Sequence, residues 1–326
     1  MFKNKKVMVA GGTGMIGREL VKLLVSEGAL VRTASLDNIP LDSIHGANSG
    51  KEFFKVDLTL LENCRLVCRD MDYIFNLLGV KGSVRIKDQA VNLISPMLQF
   101  DTNLLRAVRE AGIDGYLLTS SYGVYYPAEI LKEEDVWNTP APFNDRFAGM
   151  AKRIAELELE AHRIQCGWKN TTIVRPSSVY GPFDNFDSTN AMVIPSLIKR
   201  AIAGENPLIV YGDGSQTRDF IHARDAAKGM LIAAKNSAPC INLGSGRGVN
   251  IKELAIIIIN NLASKPEIEF DSSSPSGDQK RVLDISKASA LGFKPKISLE
   301  QGIRETMEWY IANRDKTGNR YDVFSN

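Results

Sequence analysis

The stretch Val7-Met8-Val9-Ala10-Gly11-Gly12-Thr13-Gly14-Met15-Ile16-Gly17 decides the fold. Four apolar residues closed by a glycine pair fit a strand buried on both faces of a parallel sheet. Over 15–26 the period changes: Ile16, Leu20, Leu23 and Leu24 fall on one side of a helix, which Gly28 ends. Strand, glycine turn and helix in this order build a phosphate cradle. A Cβ in the turn would block the backbone's approach to a pyrophosphate. The helix N-terminus adds free N–H groups and a partial positive charge. A glycine triplet alone is weak, but between a strand and a helix it is strong. Gly11, Thr13, Gly14, Met15, Ile16 and Gly17 are the candidate pyrophosphate contacts.

Outward from this unit the alternation repeats. Further strands are predicted at 30–34, 53–56, 73–77, 115–120 and 171–175, with helices at 96–111 and 145–165. That βαβ rhythm predicts an α/β chain with a Rossmann-type, doubly wound parallel sheet and helices on both faces. After about residue 180, Pro182, Pro195, Pro207 and several glycines shorten the elements. Residues 1–180, with returning segments, are expected to form the dinucleotide-binding domain. Residues 181–320, approximately, are expected to form a smaller C-terminal substrate lobe interleaved with it.

Composition narrows the function classes. The 326 residues carry 40 basic and 38 acidic side chains, a net charge of +2, with no basic run suited to nucleic acid. Cys64 and Cys68 lie one helical turn apart, and with Cys166, Cys240 and only three histidines they do not compose a metal site. Free thiols in a reducing compartment are expected. No signal peptide is expected at the N-terminus, and the longest aliphatic run, 254–259, is too short to span a bilayer. A cytoplasmic protein is the expectation.

The spacing Gly11-x-x-Gly14-x-x-Gly17 resembles the short-chain dehydrogenase/reductase superfamily, in particular its extended branch of nucleotide-sugar epimerases, dehydratases and reductases. Other segments share the resemblance: Val56-Asp57-Leu58, Leu77-Leu78-Gly79-Val80-Lys81-Gly82-Ser83, Ser120-Ser121-Tyr122-Gly123-Val124-Tyr125, and Arg175-Pro176-Ser177-Ser178-Val179-Tyr180-Gly181-Pro182. Arg218-Asp219-Phe220-Ile221-His222, Pro275-x-Gly277-Asp278 and Leu291-Gly292-Phe293-x-Pro295 extend it over roughly 5–310. The resemblance implies that Asp57 and Leu58 contact adenine, and that Leu78, Gly79 and Lys81 line the cofactor.

An acidic residue after the second strand would accept hydrogen bonds from the adenine ribose and favour NAD over NADP. Asp37, about 20 residues beyond Gly17, suits that task. Arg32 could instead pair with a 2′-phosphate, but its place before the strand end makes a solvated strand residue the better reading.

In the resembled family a serine polarises the reacting oxygen, a tyrosine moves the proton, and a lysine binds the nicotinamide ribose and lowers the tyrosine pKa. Ser121 and Lys152 match the serine and the lysine. The tyrosine position, four residues before Lys152, holds Ala148. Either the tyrosine has been substituted, or Lys152, a water, Tyr122, Tyr125, Tyr126 or Asp145 handles the proton, or the chain only binds nucleotide. A natural subgroup working without the tyrosine is favoured, because the flanks 144–149 do not look like the usual tyrosine context. Thr119 is followed by Ser120 and Ser121 rather than an Asp-Glu pair, which removes 4,6-dehydration.

The resemblance further implies that Tyr122 and Ser121 meet the sugar, that Asn190 and Arg218 meet the substrate diphosphate, and that Arg281 meets the nucleotide or its ribose. His222 is expected to support structure. The implied activity is NAD-dependent oxidation, by a dehydrogenase or an epimerase, at C4 of a nucleotide-diphosphate sugar. A GDP-hexose or GDP-heptose of surface polysaccharide synthesis is preferred. The alternatives are an NADP-dependent reductase and a non-catalytic NAD sensor. A homodimer or tetramer built through helices 96–111 and 145–165 is expected, with no nucleic-acid or membrane partner.

Overall fold

The first strand, β1 (Lys6–Ala10), is solvent-free from Val7 to Ala10, as its unbroken apolar run requires. The computed structural model describes residues 1–37, 52–80, 89–140, 146–187, 191–273 and 278–316. The chain continues through α1 (Met15–Ser26), β2 (Leu30–Ser35), β3 (Glu52–Lys55), α2 (Leu61–Cys68), β4 (Tyr73–Asn76), α3 (Ala90–Glu110) and β5 (Gly115–Thr119). It goes on with α4 (Arg146–Cys166), β6 (Thr171–Pro176), β7 (Ser178–Tyr180), α5 (Val193–Ile202), β8 (Leu208–Tyr211), β9 (Thr217–His222) and α6 (Ala223–Lys235). The last elements are β10 (Cys240–Leu243), β11 (Gly248–Asn250), α7 (Ile251–Asn260), β12 (Ile268–Asp271), β13 (Lys280–Arg281), α8 (Ser286–Ala290) and α9 (Leu299–Asn313).

Seven strands form one sheet in the order β10-β6-β5-β4-β1-β2-β3, and every neighbouring pair is parallel. The order reverses between β1 and β4, the switch point at which open α/β sheets hold their ligands. Alternation along β1 serves two cores. Val7 and Val9 pack with α1 and α6, while Met8 and Ala10 pack with α2, α3 and α4. Cys64 and Cys68 are core residues of α2, where burial pushes both thiols up to about 12.

One helix departs from expectation. α3 begins at Ala90 and carries Pro96 in its interior rather than at its start. A proline inside a helix costs about 3 kcal/mol, but Met97, Phe100, Leu104, Leu105 and Val108 line one buried face. Burial of that face outweighs the local penalty.

Beyond β7 the chain builds smaller sheets. β9 pairs with β7, β11 and β13, and β8 pairs with β12. A third core joins Tyr180, Phe186, Ile198, Leu254 and Ile303. β10 then returns to the edge of the large sheet beside β6. Among the described residues no helix is long and apolar enough to cross a membrane.

Candidate active site

The glycine loop links β1 to α1. Gly11 has φ +76°, a left-handed conformation that glycine adopts without penalty. A Cβ on Gly17 would stand 2.3 Å from the Gly11 carbonyl oxygen and 2.6 Å from the Gly12 Cα. The loop can therefore close on the helix only with hydrogen at that position. What results is a tight turn that leads into the N-terminus of α1, the kind of helix end that binds anions. Gly14 stands at the helix's N-cap, Met15 is buried and Ile16 half-buried in its first turn.

The loop is tied to the end of β2. The Thr13 hydroxyl donates to Asp37 Oδ2 at 2.6 Å and lies 2.7 Å from Ser35 Oγ. Its single proton is spent on the carboxylate, so Ser35 donates to Thr13. Ser35 Oγ in turn accepts from the Asp37 backbone N–H at 2.9 Å. This knot sets Asp37 beside the glycine loop.

Arg32, expected to be solvated, is not. Its guanidinium pairs with Glu52 across β3, donates to the carbonyls of Val67 and Arg69 at 2.9 and 2.8 Å, and lies over Phe54. It thus fastens the C-terminus of α2, whose carbonyls carry the negative end of the helix dipole. Asp57 also has structural work: its Oδ1 accepts from the Thr59 N–H and hydroxyl at 2.9 and 2.7 Å. Leu58 beside it is buried.

Lys152 sits on α4, 3 % exposed, at the C-terminal end of β4. Its ammonium donates to the Leu78 carbonyl at 2.8 Å and to Asp101 Oδ2 at 2.9 Å. Asn76 Nδ2 donates to Asp101 Oδ1 at 2.8 Å and to the Tyr116 hydroxyl at 2.9 Å. The Asn76 side-chain Oδ1 accepts from the Leu78 N–H at 3.1 Å. Burial pushes the Asp101 carboxyl up, and Lys152 and Asn76 pull against it. Gly79 follows Leu78 and is exposed, with no atom within 4 Å of a built Cβ. Ala148, one turn before Lys152, is half-buried against the core.

Ser121 follows β5. Its Oγ accepts from the Gly123 N–H at 3.0 Å and so caps a short turn, which leaves its own proton to give. Tyr122 accepts from the Ser178 hydroxyl at 3.2 Å and lies under the Arg281 guanidinium, 5.1 Å from ring centre. Tyr125, one of the expected substitutes for the missing phenol, is buried in a structural network instead. It donates to Asn242 Oδ1 at 2.6 Å and accepts from Arg175 at 3.0 Å, and burial pushes its phenol well up. Arg175 is in turn clasped by Glu156 at 2.9 and 2.6 Å. Tyr125 is therefore a poor proton carrier. Tyr126 is exposed.

Arg218 and Arg281 come together. They occupy opposed positions of the parallel β9–β13 pair, and Arg281 also pairs with Asp278. Asp219, next in the chain, is buried as a hub that accepts from the Ser245 N–H and hydroxyl, both at 2.7 Å. His222 caps α6: its Nδ1 accepts from the Arg224 N–H at 3.2 Å. Lys81, Asn190 and Asp145 lie outside the described residues.

Sequence reasoning passed over Asp101 and Asn76. A signal for Asp101 existed, because it shares a helical face with Met97, Leu104 and Val108. An acid on a core-facing stripe is rarely buried without a partner.

The sequence model of the family described as "NAD dependent epimerase/dehydratase family" matches residues 7–244. A dTDP-4-dehydro-6-deoxy-D-allose reductase of Streptomyces sp. is 29 % identical, over 96 % of this chain and 98 % of its own. GDP-L-fucose synthase 1 of Arabidopsis thaliana is 28 % identical, over 95 % and 94 %. Among solved structures, the UDP-N-acetylglucosamine 4-epimerase of Methanobrevibacter ruminantium M1, in complex with UDP-N-acetylmuramic acid, superposes with a TM-score of 0.84 at 27 % identity, covering 95 % of this chain and 99 % of that one.

Proposed function

This chain belongs to the NAD dependent epimerase/dehydratase family, and from that premise we propose that it oxidises a sugar carbon, C4, of a nucleotide-diphosphate sugar, as a dehydrogenase or an epimerase using NAD. The observation that carries the reading is Lys152, an amine 3 % exposed beside Leu78 at the sheet's switch point. Lysine is almost never buried at this level unless paired, and its partner here is the buried Asp101.

The loop of Gly11, Thr13, Gly14, Met15, Ile16 and Gly17 suits a dinucleotide pyrophosphate, since it leads from a buried strand into a helix N-terminus and closes there only because Gly17 has no Cβ. Asp37 would accept from the adenine ribose, and its place beside Thr13 supports NAD over NADP. The commitment of Arg32 to Glu52 and the α2 carbonyls supports the same choice, because it is occupied away from a 2′-phosphate. Asp57, Leu58, Leu78, Gly79 and Lys81 complete the proposed cofactor contacts. When bound, the nicotinamide supplies the hydride acceptor. Lys152 would hold its ribose.

Ser121 would orient the reacting oxygen with the hydroxyl proton it has not spent. With Ala148 in place of a phenol, and Tyr125 committed to Arg175 and Asn242, the proton would pass through Lys152, a water, Tyr122, Tyr126 or Asp145. The paired Arg218 and Arg281 would take the substrate diphosphate, for which planar guanidinium forks are suited. Tyr122 and Asn190 would border the sugar and diphosphate. We assign 1–180 with β10 to the cofactor and about 181–320 to the substrate. A GDP-hexose or GDP-heptose is preferred, which the GDP-L-fucose synthase relative supports. A second copy is proposed to cover α4, whose Phe147, Ile154, Leu157 and Ile164 are exposed.

The dTDP-4-dehydro-6-deoxy-D-allose reductase relative favours a second reading, reduction of a 4-keto sugar through the same site. A panel of GDP-, UDP- and dTDP-sugars and their 4-keto forms, followed by nicotinamide absorbance and product mass, tests both. Tight dinucleotide binding with no turnover of any sugar would favour a sensor and contradict both readings.

A further inference from the structure

Five groups are locked end to end behind the candidate lysine: Tyr116, Asn76, Asp101, Lys152 and the Leu78 carbonyl. Both Asn76 amide hydrogens are used, one on Asp101 and one on Tyr116, and its oxygen takes the Leu78 N–H. The amide cannot flip without breaking bonds at three sites. Asp101 thereby has one oxygen fixed by Asn76 and offers the other to Lys152. Among the described residues the ammonium donates to two acceptors, which leaves one N–H for a ligand.

Stability does not explain this pair. Asp101 and Lys152 are both 3 % exposed, and replacing a buried ion pair by apolar groups of like volume is often neutral or stabilising. The pair does explain how a lysine can stay fixed when the residue one turn before it is an alanine. We propose that Asp101 is a positioning residue, whose carboxylate holds the Lys152 ammonium against the Leu78 carbonyl and so presets its remaining N–H and its charge for the cofactor ribose. This assignment rests on the cofactor reading given above. Burial raises the Asp101 carboxyl, so without Lys152 the acid would take up a proton and remain compatible with the core.

A double-mutant cycle on the full chain, read by fluorescence titration with NADH, tests it without any turnover. Asp101→Asn and Lys152→Met should each weaken NADH by roughly ten- to a hundredfold, the scale of a charged hydrogen bond. Asp101→Glu should recover part of the loss. The combined Asp101→Asn/Lys152→Met protein should bind no more weakly than Lys152→Met alone, because Asp101 acts through the lysine. That comparison stands even if Asp101→Asn alone fails to fold. Losses that multiply in the double variant, or wild-type affinity in Asp101→Asn, would overturn the assignment and leave the cofactor reading intact. A wild-type chain that binds neither NADH nor NADPH would overturn both.

Discussion

Arg218 and Arg281 are register partners on the neighbouring parallel strands β9 and β13, so their side chains start from the same face of that sheet. Planar guanidinium forks match a diphosphate's oxygens, and these two are proposed to take the substrate's. Arg218→Ala and Arg281→Ala should therefore weaken substrate binding far more than they slow turnover. A rise in KM of roughly ten- to a hundredfold for each is expected, with a smaller change in kcat. Lysine should rescue only partly, since it lacks the bidentate fork. Steady-state kinetics at two salt concentrations checks this, and an unchanged KM for both variants would place the diphosphate elsewhere.

Tyr125→Phe separates a structural phenol from a catalytic one. The hydroxyl joins Arg175 to Asn242, and its removal leaves two buried polar groups short of a partner. A stability loss of about 1–3 kcal/mol is expected, measured by denaturant unfolding. The limbs of the pH–rate profile should not move. Loss of a limb would mean that Tyr125 carries the proton after all.

His222 predicts an acid-side weakness. Its pKa is lowered from 6.5, chiefly by burial and then by Arg224, against Glu305, Asp225 and Glu19. A group with a lowered folded-state pKa contributes stability above its unfolded value and loses it as pH falls through the folded one. Protonation would also remove the acceptor that caps α6. Stability should therefore drop as pH falls from about 6.5. His222→Asn, which can still cap, should flatten that drop in thermal melts between pH 7.5 and 5.5, values chosen to span roughly one unit on either side. An unchanged slope would assign the acid sensitivity to other groups.

Much of this was legible in the chain because local period and local chemistry agreed. β1, the glycine loop and α1 lie within 26 residues of one another and need no distant partner to be read. Pro96 misled, because its local cost was set against a core face that only the packed α2, α3 and α4 supply. Arg32 looked solvated because Glu52 and the α2 carbonyls that claim it are far away in sequence. The pairing of Arg218 with Arg281 depends on strand register, which pattern alone does not fix across the two helices and three strands between them. Asp101 was hidden for the same reason: the stripe it shares was visible, but its partner Lys152 lies on another helix.

Hydride is proposed to leave a sugar carbon within this site. The most direct measurement uses the protein in stoichiometric amounts with NAD and a GDP-hexose carrying deuterium at C4, quenched within a single turnover. The released dinucleotide is then weighed by mass spectrometry. Deuterium in the reduced nicotinamide ring is the predicted result. Conversion of the sugar with deuterium neither on the dinucleotide nor retained at C4 of the product, or tight dinucleotide binding with no reaction across the GDP, UDP and dTDP series, would contradict it.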